Sequence, residues 1–229
     1  MSMQKKLKTR GILMLVSFFG LLAVIFSPVF PGKINGLDYI DSLFNTISKG
    51  SSYFIPDSMK SAEKYMGKNI NITFSMENEK QAVKTATLFQ ASGAEVTVAG
   101  EKLTVNGDMG VILKSCLDDA DHIYNNDGAP VASKYGYDEK EVLYNWWTAF
   151  KGVGKNLTKQ ENFAEAKVFI SMQKKSLEPA YNYYGVAASN YKDNFVHILM
   201  ALGFYVVYTL WYGFGLMYLF EGLGLKIGH

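Results

Sequence analysis

The 229 residues carry 23 basic and 21 acidic side chains, for a formal charge of +2, and 48% of them are hydrophobic. Between Pro31 and Phe195 there are 18 Lys and 20 acidic residues, so the positive excess belongs to Lys5, Lys6, Lys8 and Arg10, and Arg10 is the one arginine. This distribution argues against a nucleic-acid partner and leaves the middle of the chain no guanidinium fork for a phosphate. The single cysteine, Cys116, excludes an intrachain disulfide and a thiolate-rich zinc or iron–sulfur site.

Taken in order, residues 1–10 form a basic tail, and no charged side chain occurs from Gly11 to Gly32. The apolar run predicts a transmembrane helix over 11–30, with the basic end retained in the cytoplasm. A cleavable signal peptide has the same opening pattern. The sequence Ser-Pro-Val-Phe-Pro-Gly offers no small-x-small cleavage site after the run, so an uncleaved anchor is expected.

Residues 31–194 read as an extracytoplasmic α+β domain. Leu37, Ile40, Phe44 and Ile47 recur at helical spacing, giving an amphipathic helix that either lies on the bilayer surface or packs against the domain, the latter being expected. Asp57 after Pro56 is placed to cap a short helix ending at Gly67. Residues 69–125 alternate as strand, helix, hairpin and helix, a β-α-β-β-α module whose hairpin turns at Ala99-Gly100-Glu101-Lys102. Within 138–192, Asp138 and Glu141 have capping-box spacing for one helix, stopped at Gly152 and Gly154, and Thr158 and Glu161 repeat it for another, interrupted at Pro179. Tyr181, Tyr183, Tyr184 and Tyr191 then suit an aromatic belt at a membrane surface.

Phe195 to Phe220 contains no charged side chain, and at about 1.5 Å per residue it is longer than the roughly 30 Å of bilayer hydrocarbon. It is expected to be the second span, returning residues 221–229 to the cytoplasm. The reading is thus an α+β protein of two transmembrane helices bracketing a periplasmic domain, in a bacterial-type inner membrane.

Phe204, Tyr208, Trp211, Gly215 and Tyr218 form one stripe on the second span, and Gly213 adds a point of close approach. The stripe suits other membrane subunits, a second copy of the chain, or a wall for haem or a quinone; contact with the first span is the competing reading. His197 at the outer end of the span could ligate haem or meet a quinone, although a bis-histidine haem lacks a second intramembrane partner, since His122 lies in the domain and His229 at the C-terminus. Trp146 and Trp147 are secondary candidates for partner contact, because adjacent helical residues cannot share one face. Asp118, Asp119, Asp121 and His122 read as a solvated helix face, with no second motif to complete a metal site.

Signatures for serine hydrolases, zinc proteases, phosphate-binding loops and haem attachment are absent from the sequence. The expectation is a non-catalytic subunit or accessory protein of a larger membrane complex, with no resident metal or cofactor. An extracytoplasmic ligand sensor, a homo-oligomeric ring or channel, and a haem- or quinone-binding subunit are the alternatives.

Overall fold

The structure, a computed structural model, describes residues 3–225. It is 69% helical with one three-stranded antiparallel sheet, so the α+β expectation holds with the balance shifted strongly toward helix. By contact the chain divides into two compact units: the segments up to Gly50 and from Ala188 onward form one, and Ser51–Ala187 the other.

The first unit contains the two helices long and apolar enough to cross a membrane, α1 (Met3–Ile25) and α10 (Phe195–Gly222). Helix α1 begins within the basic segment and runs without a break into the apolar one. It ends ahead of Pro28, where Ser27 Oγ donates to the Ala23 carbonyl and the missing proline N–H could not continue the ladder. The chain turns at Gly32 and Lys33, both at positive φ, and Asn35 caps α2 (Gly36–Ser51) by accepting from the Asp38 N–H.

Glycine explains why α1 and α10 pair as they do. A Cβ on Gly11 would lie 2.5 Å from the Leu219 N and 2.9 Å from the Gly215 carbonyl oxygen, and one on Gly222 would meet the Lys8 backbone. Only hydrogen fits between the two backbones at these points. The pairing is antiparallel: Lys8 meets Gly222, Gly11 meets Leu219, and Phe18 stacks on Tyr208 at 4.2 Å between ring centroids.

The second unit holds α3 (Ile55–Glu63), β1 (Asn69–Ser75), α4 (Glu79–Ala91), β2 (Glu95–Ala99), β3 (Lys102–Asp108), α5 (Met109–Tyr124), α6 (Ala129–Tyr135), α7 (Glu139–Lys159), α8 (Phe163–Met172), a π-helical segment Gln173–Leu177 and α9 (Glu178–Asn182). The sheet order is β1-β3-β2, and the expected hairpin pairs Ala99 with Lys102 across Gly100, whose φ is +62°. Strict alternation places Ile70, Ile72, Phe74, Leu103 and Val105 on the buried face, leaving Asn71, Thr73 and Asn106 on the open one. Asn78 and Asp108 accept from the Gln81 and Val111 N–H groups and start α4 and α5.

Helix α7 departs most from expectation. Gly152 and Gly154 do not stop it; they lie inside it, where the Phe74 ring packs on Gly152 and Ile170 on Gly154. A mid-helix glycine is tolerated here because side chains from β1 and α8 need its space. Its far end shields the free edge of the sheet, with Asn156 Nδ2 donating to the Thr73 carbonyl and Gln160 Nε2 to that of Asn71. Thr158 therefore lies in the last turn of α7 and opens no new helix; Glu161 has φ +63° in the connection, and α8 starts after Asn162. Pro179 likewise causes no break, because it falls in the first turn of α9. The π segment supplies Gln173 Nε2 to the Trp147 carbonyl and Ser176 Oγ to Ser58, two buried polar contacts that hold α7 and α3.

Trp146, Phe89, Phe150 and Phe169 form the centre of this core through edge-on aromatic contacts, with Phe150 and Phe169 4.9 Å apart.

Candidate functional site

Each candidate residue of the second span has a distinct environment. Gly215 is buried against Leu15 and Met14, Tyr208 stacks on Phe18, and Tyr218 lies under the Arg10 guanidinium at 4.4 Å. These three are taken up by the pairing with α1, as the competing reading of the stripe had it. A Cβ on Gly213 would meet nothing within 4 Å, so its face is open. Trp211 and Phe204 line two different concavities.

The first is an open groove of about 980 Å³ between α1 and α10, walled by Leu13, Met14, Val207, Leu210, Trp211 and Phe214, with Lys6 and Arg10 at its basic end. Among the described residues, Thr9 and Ser17 add hydroxyls to this mostly apolar wall.

The second is a cavity of about 770 Å³ on α1, α2 and α10. Helix α2 contributes Leu37, Tyr39, Ile40 and Leu43, so the amphipathic helix turns this side to the spans. Helix α1 contributes Phe18, Leu21, Leu22, Val24 and Ile25, with Phe26 just past its end, and α10 contributes His197, Ala201, Phe204, Tyr205, Tyr208 and Tyr212. The rings form a ladder: Phe18 lies 4.2 Å from Tyr208 and 4.9 Å from Tyr212, and Phe204 stacks on Tyr208 at 5.4 Å. The Tyr208 hydroxyl is buried and has no hydrogen-bond partner among the described residues. Its neighbour Thr209 is satisfied by the Tyr205 carbonyl of its own helix.

His197 lines this cavity and is exposed. Among the described residues no second histidine joins it: His122 is on α5, where its Nδ1 lies 3.0 Å from Asp127 Oδ2, and His229 falls outside the described residues. The described residues contain no group of three or more His, Cys, Asp or Glu placed to hold a metal ion.

In the second unit the tryptophan pair is engaged internally. Trp146 is wholly enclosed and offers no surface to a partner, which corrects its place among the contact candidates. Trp147 is half-buried, donates to Glu178 Oε1 at 3.0 Å, stacks on Tyr144 and lies beneath the Lys151 ammonium. The acidic run on α5 is not one solvated face either. Asp119 is buried, its Oδ2 accepting from Trp146 Nε1 at 2.9 Å and from the Tyr135 hydroxyl at 2.7 Å, and its Oδ1 pairing with Lys134 Nζ at 2.9 Å. Helical spacing put Asp119 next to exposed neighbours; its donors Lys134, Tyr135 and Trp146, 15 to 27 residues away, show why it turns inward.

Burial, and next the Asp119 carboxylate, pushes the Tyr135 phenol well up, and burial raises Tyr137 to about 12. The same cause pushes the Cys116 thiol up, so it is a protonated core side chain and not a nucleophile. Two of the expected belt tyrosines are engaged within this unit: Tyr184 donates to Glu139 Oε1, which raises its phenol to about 12, and Tyr181 packs near Tyr144.

Comparison of the chain with protein-family models, with curated proteins and with solved structures finds no match.

Proposed function

We propose that this chain is a non-catalytic two-span subunit or accessory protein of a larger membrane complex, with residues 51–187 as its extracytoplasmic unit. The observation that carries the reading is the unequal use of the two faces of the α1–α10 pair. One line of contact is closed by glycine at Gly11, Gly215 and Gly222, while the groove walled by Leu13, Val207, Leu210, Trp211 and Phe214 remains open.

In a bilayer, lipid tails are as apolar as leucine, so a groove of this kind binds a helix by shape and dispersion and not by a hydrophobic driving force. A transmembrane helix of a partner subunit supplies both. Lys6 and Arg10 at one end keep that end cytoplasmic under the positive-inside rule, which sets the other unit on the opposite side.

The test is affinity purification of the tagged chain from its own membranes in mild detergent. Wild-type protein brings down a membrane protein at fixed stoichiometry, and Trp211→Ala combined with Phe214→Ala releases it while leaving the monomer's helical content unchanged. Recovery of the chain alone, from wild type as from the variant, contradicts the subunit reading and moves the case to a self-contained sensor.

A further inference from the structure

We propose that the outer edge of β2 pairs with the β2 edge of a second copy of this chain, joining the two sheets into one continuous antiparallel sheet about a two-fold axis at Thr97. The pairing uses residues 51–187 alone and is independent of what occupies the span groove.

The fold treats the two edges of its sheet differently. Along β1, Asn156 and Gln160 of α7 donate to the Thr73 and Asn71 carbonyls. Along β2 the described residues provide no such cover: the strand order ends there, and each residue of the strand except Val96 is exposed. The register fixes which groups point outward. Ala99 pairs with Lys102 across a tight turn, so the pairs hydrogen-bonded to β3 are Ala99–Lys102, Thr97–Thr104 and Glu95–Asn106. The N–H and C=O groups of Val96 and Val98 are therefore directed away from β3, and no described residue bonds to them there. An edge with free groups in a row, and with no lysine, proline or bulge to blunt it, is a template for another strand.

Three features select a second copy as that strand. The first is register. With Thr97 opposite Thr97, Val96 exchanges both backbone bonds with Val98 of the second copy, and Val98 does the same with its Val96, so every outward group is used. A slip of two residues brings in either Ala94, whose N–H is taken by the Phe89 carbonyl, or Gly100, which leaves the strand at φ +62°. A slip of one turns the valines to the wrong face.

The second is the match of side chains. Thr73, Thr104 and Thr97 form one row on the open face, with the Thr73 and Thr104 hydroxyls 3.0 Å apart, and the pairing continues that row through Thr97 of the second copy. On the helix-covered face it sets Val96 against Val98 of the second copy, and covers a Val98 side chain that is 36% exposed in the single chain. The third is charge. Glu95 falls opposite Ala99 of the second copy, which keeps the two Glu95 carboxylates apart, and the next residue in that row is Lys102. Two strand spacings, about 10 Å, separate Glu95 from this lysine, and both side chains are exposed and long enough to meet over the alanine. A strand from an unrelated protein supplies the backbone bonds but neither the threonine row nor the lysine.

The experiment uses the full chain in mild detergent, with its mass followed by sedimentation velocity across a concentration series. Wild type passes from monomer to dimer. Val98→Pro removes an outward N–H and none of the bonds to β3, so it keeps the fold and stays monomeric. Thr97→Asp sets two carboxylates against each other on the axis and moves the transition to at least about tenfold higher concentration. Thr97→Cys, with Cα atoms about 4.5 Å apart across the axis, forms an intermolecular disulfide on mild oxidation. Thr104→Cys, on the same face but about 14 Å from its counterpart, does not. The native Cys116 is buried and does not interfere.

A wild-type chain that stays monomeric overturns the proposal, as does a Val98→Pro chain that dimerises like wild type or cross-linking that is equal at positions 97 and 104. Circular dichroism checks each variant, and Thr97→Asp decides if Val98→Pro misfolds. A benzophenone maleimide on Thr97→Cys in native membranes separates the occupants: an adduct at twice the chain's mass supports a second copy, and adducts with another protein alone assign the edge to a foreign strand and overturn the pairing.

Discussion

Asp119→Ala lowers the unfolding free energy of the polar unit by about 2–5 kcal/mol, the cost of leaving two buried aromatic donors without their acceptor at about 1–3 kcal/mol each. The carboxylate accepts from Trp146 Nε1 and Tyr135 Oη and neutralises Lys134. Removing it leaves an indole N–H with no acceptor at the centre of the core, a phenol in the same state, and a cavity where the carboxylate had been. Lys134 is partly exposed and can turn to water, so most of the loss comes from the two aromatic donors. Against a typical total of about 5–15 kcal/mol, this is enough to populate unfolded chains near physiological temperature. Asp119→Asn retains one acceptor oxygen and loses less. Urea unfolding of the full chain in detergent, followed by near-ultraviolet tryptophan dichroism, measures both; a loss below about 1 kcal/mol for the alanine variant contradicts the role given to Asp119.

Gly11→Leu separates the two spans. Its Cβ would fall 2.5 Å from the Leu219 N and 2.8 Å from the Leu219 Cα, and backbone atoms cannot rotate aside as a flexible side chain can. The helices must part, which pulls Phe18 from Tyr208 and Leu15 from Gly215 along the same seam. Overpacking of this kind costs about 1–3 kcal/mol, and at a contact between two main chains the upper end is expected. Gly20→Leu and Gly213→Leu are the controls, since nothing lies within 4 Å of a Cβ at either. Thermal unfolding in one detergent should place both controls with wild type and Gly11→Leu several degrees below. Equal midpoints for all four proteins would remove glycine-mediated contact as the basis of the pairing.

What the sequence makes legible divides by the range of the interaction. The two apolar helices, the hairpin at Gly100 and the cap at Asp138 all depend on residues close in sequence, and all are found, whereas Asp57 caps nothing, because α3 begins at Ile55 with Phe54 as its N-cap and Asp57 lies within the first turn. Gly152 misleads because a glycine that stops a helix and one that admits Phe74 look alike until β1 is placed beside it. Asp119 misleads for the same reason, its donors lying 15 to 27 residues away. In the span, the stripe through Tyr208, Gly215 and Tyr218 has a genuine periodicity, but periodicity specifies a face and not its occupant; the occupant is α1. The stripe and His197 marked the α10 wall of the cavity, but not the cavity itself, because its other walls come from α1 and α2, more than 150 residues earlier in the chain.

The two-span topology is tested most directly by proteinase K applied to intact spheroplasts of cells making the chain with a tag at each end. Cleavage within 51–187, with both tagged spans left in the membrane and both tags protected until detergent is added, is the expected result. Protection of the whole chain, digestion of either tag, or recovery of the chain in the soluble fraction would contradict it.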